Sequence, residues 1–171
     1  MKKTENYLGM IKLGELARVS DPCYDDINDM MVAINVPTKA GEYSCYAYTA
    51  DFGKWGVRVS SLKIVHTDLG VVDCDEYLSF CGVDSGQLGI FDYDYFRRNC
   101  RDNDYDNKNS WYRRVCDLTM GEGGTIDDMG VVTPSGYGDG GYNVCVHYVS
   151  DESEDIDAIE IIFIETEYDE E

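Results

Sequence analysis

Two stretches of this chain begin at a glycine and then alternate apolar and polar residues with a period of two. They cover residues 41–48 and 140–147. A period of two places successive side chains on opposite faces of an extended strand, so one face of each stretch can be buried. Each is followed, after a polar connection, by another strand-like run, over residues 57–65 and 156–164. The apolar faces carry Tyr43, Cys45 and Ala47 in the first stretch and Tyr142, Val144 and Val146 in the second.

A third similarity lies upstream of each of these hairpins. Residues 14–21 resemble residues 86–92 with one residue removed, and both segments begin at a glycine and end at an aspartate. We interpret the three similarities as an internal duplication, with units of about 7–69 and 77–165. The sequence therefore predicts a mainly β fold of the α+β type, an internally duplicated antiparallel β-sandwich or barrel-like core.

Helical signals are few. Ser110 is a favourable N-cap, and Trp111, Val115 and Leu118 follow it with helical spacing. Asp92 is a second candidate cap, for one or two turns that continue toward residue 100. We predict one or two short helices between the halves.

A length of 171 residues fits one domain with one core. The longest apolar run has about six residues, too few for a signal peptide or a membrane span. The seven cysteines are scattered, with no pair at the spacing of a zinc ribbon, which indicates a reducing compartment. We therefore expect a single domain in a reducing cytoplasm, ending in an acidic tail over residues 165–171.

The net charge of −20 is distributed unevenly along the chain. Arg114 is the last basic residue, and residues 117–171 contain sixteen carboxylates and no lysine or arginine. Such a surface repels nucleic acids and anionic membranes, because phosphate binding requires lysine and arginine. The charge instead favours a basic protein as the partner.

Three short motifs lack the residues that their chemistry needs. The glycines of residues 136–141 have dinucleotide-binding spacing, but a strand follows them where a helix is required. The aspartates of residues 102–106 imitate a calcium loop, but Arg113 replaces its closing glutamate. Cys145 and His147 share a strand face without a third group to orient the imidazole. We expect no catalytic residues, no metal and no cofactor, and a binding protein in preference to an enzyme.

Four motifs carry a resemblance to a known family. They are SDPCY at residues 20–24, GKWGVRV at residues 53–59, VDSGQLGIFD at residues 83–92 and SGYGDGGY at residues 135–142. In these motifs the chain resembles a family of uncharacterised proteins of bacteriophages and of bacteria that carry mobile elements. The resemblance implies a setting of virus against host, and an anti-defence protein of the anti-CRISPR kind, but it transfers no site residue.

The charge and the resemblance together predict an inhibitor that mimics DNA. Its carboxylates would occupy the groove of a basic nucleic-acid-binding host protein, for example a CRISPR effector, without direct binding of nucleic acid. The predicted partner-binding residues are Asp151, Glu152, Glu154, Asp155, Asp157, Glu165 and Glu167.

The alternative hypothesis is a small-molecule-binding protein or an enzyme with a pocket between the two β units. The residues predicted for this pocket are Tyr24, Asp84, Ser85, Asp139 and Tyr142. Arginines 97, 98, 113 and 114 would either line such a pocket or neutralise the acidic loop of residues 102–106.

Overall fold

A computed structural model describes residues 2–27 and 32–166 of the chain. Strands make up 50% of the structure and two helices 11%, and two antiparallel sheets pack into a sandwich-like core that is not a closed barrel. This confirms the predicted mainly β sandwich. None of the helices in the described ranges is long and apolar enough to cross a membrane. Of the predicted acidic tail, residues 167–171 lie outside the described part.

The larger sheet has six strands. In spatial order these are β1 (Lys3–Leu13), β4 (Gly41–Asp51), β5 (Val57–His66), β11 (Ile156–Ile162), β10 (Gly140–Tyr148) and β6 (Glu76–Val83). All neighbouring pairs are antiparallel. A single-turn 3-10 helix, Gly53–Trp55, connects β4 to β5.

The smaller sheet has five strands. In spatial order these are β3 (Ile34–Pro37), β2 (Leu16–Ser20), β7 (Gln87–Asp92), β9 (Gly130–Pro134) and β8 (Gly124–Ile126). The core fills the space between the two sheets, and the alternating residues of the predicted hairpins supply much of it. Tyr43, Cys45, Ala47, Val144 and Val146 are all fully buried there.

The strand order has an internal twofold relationship. From one edge of the six-stranded sheet the strand order is β1, β4, β5, and from the other edge it is β6, β10, β11. In this comparison β1 corresponds to β6, β4 to β10 and β5 to β11. The two halves meet at the pairing of β5 with β11, where Leu62 lies opposite Ile161. In the smaller sheet they meet at the pairing of β2 with β7. This is the arrangement that two copies of one β unit would produce.

One hydrogen bond occurs at equivalent positions in the two units. The Tyr43 hydroxyl donates to the carbonyl of Lys39 at 2.7 Å, and the Tyr142 hydroxyl donates to the carbonyl of Gly138 at 2.5 Å. In both cases the acceptor is four residues earlier in the chain, at the turn that begins the strand.

The two predicted helices are present. Asp92 caps α1 (Tyr93–Asn99) through the backbone N–H of Tyr95, and Ser110 caps α2 (Trp111–Leu118) through that of Arg113. In the chain they follow β7, so they belong to the second unit. Their apolar side chains form a second core on the outer face of the smaller sheet, consisting of Phe91, Tyr95, Phe96, Cys100, Trp111, Val115, Ile126 and Val132.

Candidate functional site

The acids of the β10–β11 connection lie at one end of the six-stranded sheet. Asp151, Glu152, Glu154 and Asp155 are all exposed in this loop, which is closed by a 2.9 Å hydrogen bond from Val149 N to the carbonyl of Asp155. Short loops between strands are polar and face water. The structure therefore brings these four predicted residues together.

Three further carboxylates join this end of the sheet from β6 and the connection before it. Asp73, Asp75 and Glu76 are exposed, and Glu76 pairs with Val146, two residues before β10 ends. Two residues of a strand span about 7 Å, so Glu76 lies close to the loop. We call the set of Asp73, Asp75, Glu76, Asp151, Glu152, Glu154 and Asp155 the acidic end. The sequence alone does not group Asp73, Asp75 and Glu76 with the loop, because only strand pairing brings them to this end.

The carboxylates of the acidic end have no cationic partner among the described residues, since no lysine, arginine or histidine nitrogen lies within 4.0 Å of them. The nearby Lys39 is engaged elsewhere, 2.9 Å from Asp68, and this pair lowers the pKa of Asp68. Unpaired carboxylates crowded at one end of a sheet produce a strong local negative potential.

The arginines of the helical layer pair with acids other than those of the predicted loop of residues 102–106. Four of them form ion pairs at 2.8–3.2 Å: Arg97 with Asp94, Arg101 with Asp25, Arg113 with Asp117 and Arg114 with Asp127. They line none of the cavities described below, and none forms an ion pair with the aspartates of residues 102–106. The acids around the helices are thus partly neutralised, and those of the acidic end are not.

The other predicted partner-binding residues do not belong to the acidic end. Asp157 is buried at 3% exposure, and its carboxylate lies 2.6 Å from His147 Nδ1. Glu165 is exposed but follows the far end of β11, whose seven residues span about 23 Å. Glu167 lies outside the described residues. The prediction that Asp157 contributes to an exposed acidic face is therefore wrong, because this residue occupies a strand position beneath the surface.

Asp157 is the third group, not recognised from the sequence, that can orient the His147 imidazole. The imidazole is on the outer face of the six-stranded sheet, where Cys145 also lies. Burial, followed by the charges of Glu160, Glu165 and Asp75, raises the pKa of the Cys145 thiol. The thiol is therefore protonated near neutral pH, which opposes a nucleophilic role.

Three residues of the predicted alternative pocket form a hydrogen-bonded group around a buried carboxylate. Asp21 is fully buried and accepts hydrogen bonds from the backbone of Asp84 and Ser85, both at 2.7 Å, and from Ser85 Oγ at 2.6 Å. The Tyr24 hydroxyl donates to the Asp84 carboxylate at 2.8 Å. Cys23 lies beside this group, and burial, together with its hydrogen bond to Asp21, raises the pKa of its thiol to about 12. The group satisfies itself internally and presents no activated nucleophile.

The remaining two pocket residues lie in the neighbouring glycine-rich turn. Tyr142 is partly buried, with its hydroxyl bonded to the carbonyls of Ser135 and Gly138, and Asp139 is exposed. A cavity of about 270 Å³ between the edge strands β3 and β6, and another of about 380 Å³ on the larger sheet, have different linings. The five predicted residues therefore line neither of these cavities.

The four sequence motifs meet at one end of the sandwich, opposite the acidic end. Ser135 N donates to the carbonyl of Gly86 at 3.0 Å, which joins the glycine-rich turn to the β6–β7 turn that binds Asp21. The ring of Tyr137 packs against that of Trp55 at 6.2 Å, which brings in the β4–β5 connection. We call this region the motif end; its contacts are structural ties between loops that are distant in sequence.

Comparison of the chain with protein families, with curated proteins and with solved structures finds no match.

Proposed function

We propose that this chain is an acidic protein-binding inhibitor of a phage or mobile element. It would occupy the basic nucleic-acid-binding groove of a host defence protein, in the manner of anti-CRISPR proteins that mimic DNA. The observation that carries this proposal is the acidic end, where seven exposed carboxylates have no cationic partner among the described residues.

The physical basis is competition for cations. A groove that binds nucleic acid is lined with lysine and arginine, which neutralise the phosphates and release the counterions of the nucleic acid. Carboxylates fixed on a folded surface can pair with the same cations, with little ordering cost upon binding. Four of the seven lie within one five-residue loop, so a groove can contact them together.

The acidic end also suits this role because the fold does not need it. Its carboxylates make no ion pair within the described part of the chain, and its side chains are exposed. Replacing them by amides should therefore leave the stability of the protein nearly unchanged. Loss of partner binding in such a variant would then report on the surface and not on unfolding.

The direct test is capture of partners from a host lysate by the protein over a series of salt concentrations. The test variant carries Asp151→Asn, Glu152→Gln, Glu154→Gln and Asp155→Asn. The matched control carries Asp106→Asn, Glu122→Gln, Asp128→Asn and Asp139→Asn, which remove the same number of charges from exposed positions elsewhere.

We expect the wild type and the control to capture a basic nucleic-acid-binding protein at low salt and to release it as the salt rises, because exposed charges are screened beyond about 8 Å at physiological ionic strength. The test variant should capture much less. Added duplex DNA should compete with the acidic end for the groove of the captured protein. Equal capture by the test variant and the wild type would refute the proposal.

A further inference from the structure

A groove with an unusual lining lies on the outer face of the six-stranded sheet. The connection of residues 67–75 runs from β5 to β6 across β11 and β10, and it encloses a cavity of about 380 Å³ against the sheet. Tyr46 and Tyr48 of β4 and Lys63 of β5 line the cavity from below, and residues 67 and 69–72 line it from the connection. This volume is at the lower end of the range of about 300–1,000 Å³ found for small-molecule sites.

Tyrosine rings form a platform in this groove: Tyr46 and Tyr48 line the cavity, and Tyr7 adjoins them outside its lining. Tyr46 lies 6.5 Å from Tyr48 between ring centroids, and the cross-strand neighbour Tyr7 lies 5.6 Å from Tyr46. Tyr7 is 59% exposed, and Tyr46 and Tyr48 are half-buried. The ring planes are tilted by 34° between Tyr46 and Tyr48 and by 55° between Tyr7 and Tyr46, and the Lys3 ammonium lies 5.3 Å over the Tyr48 ring. The C–H face of another ring can pack against aromatic rings of this kind, chiefly against Tyr46 here.

Lys63 is a buried cation in this groove. It is only 9% exposed, and its ammonium group donates to the carbonyl of Val72 at 2.5 Å. Glu160 lies opposite it on β11, yet within the described ranges no carboxylate comes within 4.0 Å of the ammonium. An ammonium group has three donors, so two remain for a ligand. A buried cation with so few partners is costly to the fold unless something else satisfies it.

The fold itself does not require this lining. Tyr46 and Tyr48 correspond to Cys145 and His147 in the second unit, and Lys63, the cross-strand partner of Tyr46, corresponds to Glu160, the partner of Cys145. The inward positions remain apolar in both units, as at Leu62 and Ile161. The aromatic and cationic side chains of the groove are therefore particular to the first unit, as expected of a site.

We propose that this groove binds a small saccharide. A sugar ring has an apolar C–H face that fits the tyrosine platform. Its hydroxyl groups both donate and accept, which matches the mixed lining of Glu5, Ser44 and Lys63. A neutral sugar also avoids the repulsion that the net charge of −20 imposes on an anionic ligand. No residue of the acidic end lines this cavity, although Asp73 and Asp75 belong to the same connection, and the site does not depend on the proposed inhibitory function.

The test is titration of the full chain with maltotriose, cellotriose and chitotriose, followed through the tyrosine ring resonances and by calorimetry. We expect millimolar or tighter binding of at least one of them, with the shifts concentrated at Tyr46 and Tyr48. Binding should not change with salt, in contrast to capture of a partner through the acidic end. Failure of one proposal would therefore leave the other standing.

Two variants sharpen this experiment. Tyr46→Ala should weaken binding about tenfold, equivalent to about 1.4 kcal/mol. The matched control is Tyr77→Ala, which removes a tyrosine that is 62% exposed on the opposite edge strand of the same sheet, and it should bind as the wild type does. Folding of both variants is checked by circular dichroism, and Tyr46→Phe, which keeps the ring, should restore most of the affinity.

Three results would overturn the proposal. The first is the absence of ring shifts with all three sugars at millimolar concentration. The second is unchanged affinity in folded Tyr46→Ala. The third is binding of adenosine, a planar aromatic probe, by a protein that binds none of the sugars.

Discussion

Ser85 Oγ donates a hydrogen bond to the buried Asp21 carboxylate at 2.6 Å, which ties the β6–β7 turn of the second unit to the end of β2 in the first. The same carboxylate accepts the backbone N–H groups of Cys23, Asp84 and Ser85 at 2.7–2.8 Å. Four hydrogen bonds to one carboxylate compensate for its removal from water. This contact fixes the two units relative to each other at the motif end.

The first prediction concerns this carboxylate. Asp21→Asn replaces one acceptor oxygen by a donor that faces other donors, so we expect a loss of about 2–4 kcal/mol in the free energy of unfolding. The measurement is urea denaturation followed by fluorescence. Asp84→Asn is the control, because Asp84 is exposed and an amide oxygen can still accept from Tyr24; its effect should stay within about 0.5 kcal/mol. Similar losses in the two variants would contradict the role given to Asp21.

Much of the fold could be predicted because its signals are local. The alternation in residues 41–48 and 140–147 depends only on the strand period, and the buried faces follow from it. The caps at Asp92 and Ser110 are likewise set by neighbouring residues. The repeated segments also correspond to equivalent strands of the two sheets.

The site was only partly predictable because it depends on strand pairing. Asp73 and Glu76 reach the acidic end only because β6 pairs with β10, more than 60 residues further along the chain. Proximity in sequence alone groups Asp157 with the loop acids. Its neighbours Ile156 and Ala158 already placed it inside a strand, and this signal distinguishes it from exposed acids such as Asp155.

The second prediction concerns thiol reactivity. Burial, followed by the hydrogen bond to Asp21 and its charge, raises the pKa of Cys23 from 9.0 to about 12. Since three pKa units correspond to about a thousandfold less thiolate, Cys23 should be alkylated by iodoacetamide far more slowly in the folded protein than in urea at the same pH. Peptide mass spectrometry over a time course measures both rates. Labelling of native Cys23 at the rate of the unfolded chain would refute this explanation.

The third prediction concerns pH. Arg114 lowers the pKa of Asp127 below 3.8 through hydrogen bonds at 2.8 and 3.1 Å. A depressed carboxylate pKa stabilises the fold above pH 3.8, and this contribution is lost as the pH falls through the lower, folded-state value. Both side chains are about 40% exposed, so screening limits the effect to about 1 kcal/mol or less.

Arg114→Met should therefore lower the free energy of unfolding at neutral pH, and its difference from the wild type should shrink as the solution is acidified. Urea titrations across the acid range provide the measurement. Arg98→Met is the matched control, because Arg98 is exposed and has no ion pair within the described residues. A difference between wild type and Arg114→Met that is independent of pH would show that packing, and not the ion pair, causes the destabilisation.

The fourth prediction compares equivalent tyrosines in the two units. Tyr43 is fully buried, and its hydroxyl is bonded to the carbonyls of Lys39 and Ile156. The Ile156 carbonyl also accepts from Lys39 N at 2.9 Å, so Tyr43→Phe removes the hydroxyl donor of the Lys39 carbonyl and should cost about 1–2 kcal/mol. Tyr142 makes the equivalent bond to the carbonyl of Gly138 and a second one to that of Ser135, but it is only partly buried. Water can replace its hydroxyl, so Tyr142→Phe should cost about 0.5–1 kcal/mol.

Thermal and urea unfolding of both variants give the comparison, with Tyr137→Phe as the control because its ring is 54% exposed. The order Tyr43→Phe, Tyr142→Phe, Tyr137→Phe, from the largest loss to the smallest, is expected if each hydroxyl holds the turn that begins its own strand. A larger loss of unfolding free energy in Tyr142→Phe than in Tyr43→Phe would contradict this explanation, because Tyr142 is the less buried of the two residues.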